Sequence, residues 1–213
     1  MSDLTRFEVD RCTVVFLDHT PSLFPVQSIE PLKLENNVIG LAKVARELGM
    51  PVVVSSLAPK QALLADPLFQ KLADVLYADD LIQRTTFDAF GSEPFRRAVE
   101  ETGERTAMKK LIMCGLWTET SLLQSVTSAR SRRREVAFVE DCSGGVSERS
   151  HQTALDRMAQ TGAIPVSWWS LIAELCPDIA SERYKKIYPI IQEHAGIDLP
   201  PHVVPAPTPS ASR

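Results

Sequence analysis

Short apolar runs alternate with longer amphipathic stretches along most of the chain, and this alternation predicts its secondary structure. The apolar runs are rich in β-branched residues and bounded by polar residues, proline or glycine, which is typical of buried strands. They predict strands at residues 12–17, 51–57, 81–83, 108–114, 136–140 and 163–166. Between them, apolar residues recur every three or four positions, the period of a helix with one buried face. The predicted helices are 31–49, 67–76, 93–102, 118–131, 147–160, 170–175 and 182–194.

The regular succession of strand and helix predicts the fold class. Strands that alternate with helices form a mainly parallel sheet whose two faces are covered, because parallel neighbours need crossover connections. We therefore expect a three-layer αβα protein with a six-stranded, doubly wound, Rossmann-like sheet. Residues 1–196 are predicted to form a single domain. Residues 197–213 are rich in proline and alanine and are expected to be an extended or disordered tail.

Composition narrows the class of protein further. A chain of 213 residues with 44% hydrophobic residues can bury a sizeable core. A net charge of −4 argues against binding to nucleic acid or to an anionic membrane surface. The chain has no apolar signal core near its first residues and no apolar run long enough for a membrane span, so we expect a cytoplasmic protein.

Motifs for metals and nucleotide cofactors are missing from the sequence. The four cysteines include no CxxC pair, so a zinc site is not expected. No GxGxxG follows the first strand, and there is no GxxxxGK[ST] motif. The sequence therefore predicts neither a metal nor a cofactor.

Polar residues follow three of the predicted strands and suggest a site. Asp18 ends the first strand, Arg84 follows the third, and Ser121 lies in the first turn of the helix after the fourth. The carboxyl ends of parallel strands share one sheet edge, where such folds bind their ligands. Considered alone, Asp18 is explained as a turn residue, Arg84 as a surface cation and Ser121 as a capping hydroxyl. Together they predict a crevice that contains a carboxylate, a cation and a hydroxyl at a helix start that can bind anions.

The same three positions carry a family resemblance. The stretches VVFLDHT around Asp18, QRTTFDAF around Arg84 and LIMCGLWTETSL around Ser121 occur in the order and spacing of the isochorismatase-like cysteine hydrolase superfamily. The segment 139–178 resembles the YcaC-like branch of that superfamily especially well. The resemblance runs from about residue 8 to about residue 195.

The resemblance implies a role for each position. Asp18 matches the general base of the family, Arg84 the position of a cation that is usually lysine, and Ser121 the nucleophilic cysteine of a GxxTxxC pattern. The turn at Trp117 and Thr118 is where the family carries a non-proline cis peptide and an oxyanion hole. Members of this branch also form homo-oligomers, so we expect a homo-oligomer, with an octamer as the implied number.

Two of the three catalytic positions depart from the family pattern. Arginine keeps the positive charge, but it does not give up a proton and therefore acts as a clamp. Serine is the larger change, because its hydroxyl is far less acidic than a thiol and attacks only with the help of a base. A thioester intermediate is excluded at Ser121.

The sequence thus predicts a hydrolase of a small-molecule C–N or C–O bond whose activity is altered or weak. Three alternatives remain open. Asp18 alone can transfer a proton to a vinyl ether, as in true isochorismatases, with Ser121 only lining the pocket. The chain can be a non-catalytic, ligand-binding or structural oligomer descended from the family. The third alternative is that a natural cysteine at position 121 was replaced by serine in the laboratory.

Several other side chains have two interpretations. Phe87, Phe90 and Trp117 are candidates for apolar pocket walls, with packing in the core as the competing interpretation. His19 is expected to be structural, and His151 to be exposed or at a subunit contact. Cys142 lies near the predicted site, but no helix start lies directly behind it, so it is a weak candidate for a replacement nucleophile.

Overall fold

A computed structural model describes residues 6–23, 25–57, 68–76, 81–105 and 110–196. The predicted tail at 197–213 lies outside these residues. None of the helices in the described ranges has both the length and the apolar composition needed to span a bilayer.

Within the described residues, six parallel strands form one sheet, as the sequence predicts. They are β1 (Cys12–Leu17), β2 (Val52–Leu57), β3 (Ile82–Arg84), β4 (Lys110–Gly115), β5 (Glu135–Val139) and β6 (Ile164–Val166). Their order across the sheet is β3-β2-β1-β4-β5-β6, and every neighbouring pair is parallel. The chain first builds outward from β1 to β3 and then returns to add β4 on the other side of β1. The direction of winding therefore changes between β1 and β4, the position at which doubly wound sheets bind ligands.

Helices cover both faces of this sheet. Within the described residues they are α1 (Pro31–Glu47), α2 (Gln70–Leu76), α3 (Glu93–Arg105), α4 (Leu123–Ser131), α5 (Glu148–Gln160), α6 (Trp168–Leu175) and α7 (Glu182–His194). Side chains alternate between the faces along each strand, so that Val14 and Phe16 pack in one apolar cluster and Val15 and Leu17 in the other. Helices α1, α2, α6 and α7 bury residues in the first cluster, and α3, α4 and α5 in the second.

The structure corrects three boundaries that bear on the site. Arg84 is the last residue of β3 and not the first residue of a loop. Helix α3 continues through Gly103 to Arg105, because one glycine inside a helix costs only about 1 kcal/mol and buried Phe95 and Val99 hold the helix on the core. The predicted helix 118–131 begins with a π-helical turn, Thr118–Leu122, before α4 starts.

Gly115 is needed where β4 meets β1. It lies opposite Leu17 in the parallel register, and a Cβ atom built on it would be 2.9 Å from both the Cβ and the carbonyl oxygen of Leu17. We expect Gly115→Ala to lower the free energy of unfolding by about 1–2 kcal/mol, because backbone atoms must move to admit one methyl group. Urea unfolding measures this loss. Unchanged stability would mean that β1 and β4 separate at no cost.

Candidate active site

A buried ion pair lies at the carboxyl edge of the sheet. Asp18 follows β1 and has a φ of 59°, a left-handed conformation that aspartate adopts more readily than most residues. Its Oδ2 accepts a hydrogen bond from Nη2 of Arg84 at 2.6 Å, and its Oδ1 accepts one from the backbone N–H of Leu57, also at 2.6 Å. Neither charged side chain has any exposed surface. The structure therefore brings together two of the three predicted catalytic residues.

Arg84 is held from two sides. Besides Asp18, its Nη1 donates a hydrogen bond to the backbone carbonyl of Thr86 at 2.8 Å. Its Nε is buried and has no hydrogen-bond partner among the described residues. The Nε–H of the guanidinium can therefore donate to a group that the described residues do not supply.

Ser121 lies at the same sheet edge but is not bonded to this pair. The register of Leu17 opposite Gly115 places the end of β1 beside the turn that carries Ser121. The serine is fully buried, and its Oγ has no hydrogen-bond partner in the part of the chain that the structure describes. The hydrogen bond between nucleophile and base that serine chemistry requires is therefore not present between Ser121 and Asp18.

The predicted oxyanion turn differs in detail from the expectation. The cis peptide bond joins Leu116 to Trp117, one bond earlier than the predicted turn at Trp117 and Thr118. The backbone N–H of Thr118 donates to the carbonyl of Gly144 at 3.0 Å. Because that donor is engaged, Thr118 is a poor oxyanion ligand, and a developing oxyanion must use other amides of the turn.

The predicted aromatic pocket residues lie in different surroundings. Phe90 is buried in the core, where its ring meets that of Phe95 edge-on with 5.1 Å between the ring centres. Core packing, the competing interpretation, therefore describes Phe90. Phe87 is 56% exposed at the surface. Trp117 is partly buried against the apolar cluster on the α1 face.

His151 contacts the turn that carries Ser121. No pattern in the sequence indicated this contact. His151 was expected to be exposed or at a subunit contact, but its Nδ1 lies 2.8 Å from Oγ1 of Thr118 within the same chain. Burial lowers the pKa of His151, and the nearby carboxylate of Glu119 partly opposes that effect. The two partners are far apart in sequence, and no local pattern signals such a contact.

His19 and Cys142 support the loop beside the site. Nε2 of His19 donates to the backbone carbonyl of Cys142 at 3.1 Å, and its Nδ1 has no partner among the described residues. Burial lowers the pKa of His19 to about 4. Burial also raises the pKa of the Cys142 and Cys114 thiols well above their usual range, so neither is a good substitute nucleophile.

Two surface clefts among the described residues lie beside other elements. One, of about 460 Å³, is formed by residues of α1, α2 and α7. The other, of about 450 Å³, is lined mainly by α5 and by Glu119 and Leu123, which flank Ser121. Neither cleft is lined by Asp18, Arg84 or Ser121. Among the described residues, no group of three or more potential metal ligands lies close together.

A doubly wound sheet with an acid, a cation and a hydroxyl at its switch point defines an α/β protein of the isochorismatase-like class. A family model described as "Isochorismatase domain" matches residues 13–170, well over half of the chain. The chain therefore belongs to the isochorismatase-like hydrolase family, in its YcaC-like branch.

Relatives in sequence and structure agree with this assignment. The protein named Probable hydrolase YcaC from Escherichia coli is 29% identical over 177 residues, which cover 81% of each chain. The crystal structure of Escherichia coli YcaC, described as an octameric hydrolase of unknown specificity, has a TM-score of 0.83 at 28% identity and covers 91% of this chain and 93% of its own. YcaC from Pseudomonas aeruginosa, solved with hexane-2,5-diol and covalent acrylamide, has a TM-score of 0.83 at 26% identity and covers 91% of this chain and 94% of its own.

Proposed function

We propose that this protein hydrolyses a C–N or C–O bond of a small molecule, with Asp18, Arg84 and Ser121 as its catalytic residues. The buried Asp18–Arg84 pair is the observation that carries the proposal. Removal of two charges from water has a desolvation penalty that their attraction offsets only in part, so such a pair contributes little net stability. The pair lies at the switch point, at the same sheet edge as the buried hydroxyl of Ser121. We therefore assign it a role in catalysis and not in stability.

The proposed reaction assigns one task to each side chain. Oγ of Ser121 attacks the carbonyl carbon of the substrate while its proton passes to Asp18. Backbone N–H groups of the turn other than those of Thr118 and Thr120, which are already hydrogen-bonded, stabilise the oxyanion. The leaving group then departs with the proton that Asp18 received from Ser121. Water then hydrolyses the acyl-serine ester and regenerates the hydroxyl. Arg84 orients Asp18, and its Nε–H, which has no partner among the described residues, holds an anionic part of the substrate.

The geometry also explains why this activity is expected to be weak. Both oxygens of Asp18 already accept hydrogen bonds, and Ser121 has no hydrogen-bonded base among the described residues. The same observation favours a second candidate, a ligand-binding or structural oligomer without catalysis. Proton transfer from Asp18 to a vinyl ether, with Ser121 as a pocket residue, is a third route that needs no nucleophile.

A panel of small amides and esters tests the catalytic proposal. We expect Asp18→Asn and Ser121→Ala each to lower the best activity by about tenfold or more, because the first removes the base and the second the nucleophile. Exposed Asp156 provides a matched control, since Asp156→Asn changes the same functional group on the surface of α5. Circular dichroism confirms that each variant is folded. Activity that is unchanged in both site variants would refute the proposal.

A gain-of-function variant separates the enzyme from the non-catalytic candidate. Ser121→Cys combined with Arg84→Lys restores the pattern that the family resemblance implies. If the site is intact, we expect this variant to hydrolyse members of the panel faster than the parent and to react with iodoacetamide or acrylamide at position 121. A variant that shows neither turnover nor alkylation would favour the non-catalytic oligomer.

We also propose a cytoplasmic homo-oligomer that binds a small-molecule substrate and no nucleic acid. The octamer described for Escherichia coli YcaC supports the oligomer. The net charge of −4 supports the absence of nucleic-acid binding. Light scattering on the purified protein measures the number of subunits.

A further inference from the structure

The turn that carries Ser121 is tied to the rest of the fold through its first residue. Thr118 is fully buried, and it opens the π-helical turn Thr118–Leu122. Its backbone N–H binds the carbonyl of Gly144, and its hydroxyl binds Nδ1 of His151 at 2.8 Å. One residue therefore links the turn both to the loop after β5 and to helix α5.

Glu119 and His151 both approach Gly145 in the loop after β5. A Cβ atom built on Gly145 would be 2.6 Å from Oε2 of Glu119 and 3.0 Å from Cβ of His151. Oε1 of Glu119 accepts a hydrogen bond from the backbone N–H of Val146 at 2.9 Å. His151 thus lies in a closely packed junction of turn, loop and helix.

We propose that His151 is a positioning residue for the reaction at Ser121, acting through its hydrogen bond to Thr118. This inference rests on the proposed function, because it assigns His151 the task of holding the turn that presents the nucleophile. The imidazole fixes the buried Thr118 hydroxyl, and Thr118 fixes the backbone N–H groups that follow it. The N–H of Thr120 is bound to the carbonyl of Trp117, so the remaining N–H groups of the turn stabilise negative charge at position 121, and only while the turn keeps its geometry.

The role is measured without a substrate by titrating a thiol at position 121. In a Ser121→Cys background, the ultraviolet absorbance of the thiolate reports how well the turn stabilises an anion. The native cysteines do not interfere near neutral pH, because burial raises the pKa of Cys12 to about 12 and also raises the pKa values of Cys114, Cys142 and Cys176. The parent protein with Ser121 is the blank for the titration.

Two replacements of His151 distinguish positioning from packing. In His151→Asn, the side-chain amide can occupy the place of Nδ1 and keep a hydrogen bond to Thr118. In His151→Ala, no such bond is possible. We expect His151→Ala to raise the thiol pKa by about half a pH unit and to slow its alkylation at neutral pH. His151→Asn should leave the thiol pKa within error of its value in the Ser121→Cys protein.

Thr118→Val provides an independent arm if His151→Ala does not fold. It removes the hydroxyl from the other end of the bond and should produce the same shift as His151→Ala. The two changes combined should give no further shift in the thiol pKa, because they break the same hydrogen bond.

The proposal is overturned if His151→Ala and Thr118→Val lower the thermal midpoint without changing the pKa of the thiol at position 121. It is also overturned if His151→Asn behaves like His151→Ala, or if no thiol at position 121 ionises below the native cysteines. Because the readout needs no hydrolysis, its failure is distinct from failure of the proposed function.

Discussion

Replacing Arg84 with methionine should lower the free energy of unfolding by about 3–5 kcal/mol, the largest effect of a single substitution that we expect in this protein. Methionine fills much of the same space, so the loss comes from charge and not from a cavity. Asp18 would remain buried with a negative charge, and among the described residues its carboxylate would keep only the hydrogen bond from the N–H of Leu57. Urea unfolding monitored by circular dichroism measures the change.

A double variant tests the physical reason. Asp18→Asn removes the charge that Arg84→Met leaves unpaired, and asparagine tolerates the left-handed φ of 59° at this position. We therefore expect the double variant to be more stable than Arg84→Met alone by at least about 1 kcal/mol. Losses that simply add would show that the two charges do not interact.

An exposed ion pair in α3 is the matched control. Nη2 of Arg97 lies 3.0 Å from Oε1 of Glu93, but these side chains are 68% and 71% exposed. Arg97→Met removes the same group in water, where such pairs contribute at most about 0.5 kcal/mol in a helix. A loss at Arg97 as large as that at Arg84 would mean that burial is not the cause.

The second large effect is a loss of stability in mild acid that depends on His19. The pKa of its fully buried imidazole is lowered from 6.5 to about 4, because the charged form loses its hydration. Between these two values the unfolded state binds a proton that the folded state does not, so stability falls as the pH decreases. The contribution is complete above the unfolded pKa and is lost progressively as the pH drops towards the folded one. At about pH 4.5 we expect the loss from this residue to be about 2–3 kcal/mol.

The variant His19→Gln isolates this contribution. Glutamine can place an amide N–H near the position of Nε2 and keep the hydrogen bond to the carbonyl of Cys142, but it does not titrate. Unfolding free energies of parent and variant are compared at about pH 7 and about pH 4.5. The variant should lose about 2–3 kcal/mol less than the parent, while the other histidines and the carboxylates contribute equally to both. Equal losses in the two proteins would exclude His19 as the acid-sensitive group.

Local patterns were sufficient to predict most of the framework. Short apolar runs located the six strands, because a strand of a parallel sheet is buried on both faces. A period of three to four residues located most of the helices, because one helix face is buried. The succession of strands and helices then limited the sheet to a parallel, doubly wound one, and strand ends pointed to Asp18, Arg84 and Ser121. Boundaries were less predictable. The helix predicted at 93–102 continues through Gly103 to Arg105, because its buried face packs on the core.

The sequence by itself determined the strand–helix alternation, the fold class and which residue types stand at the sheet edge, since these depend on periodicity and on residue identity. Only the tertiary structure decided which of them interact. It pairs Asp18 with Arg84, leaves Oγ of Ser121 without a described partner, places Phe90 in the core and joins His151 to Thr118. These outcomes depend on directions and distances between residues that are far apart in the chain, and local periodicity contains no information about them.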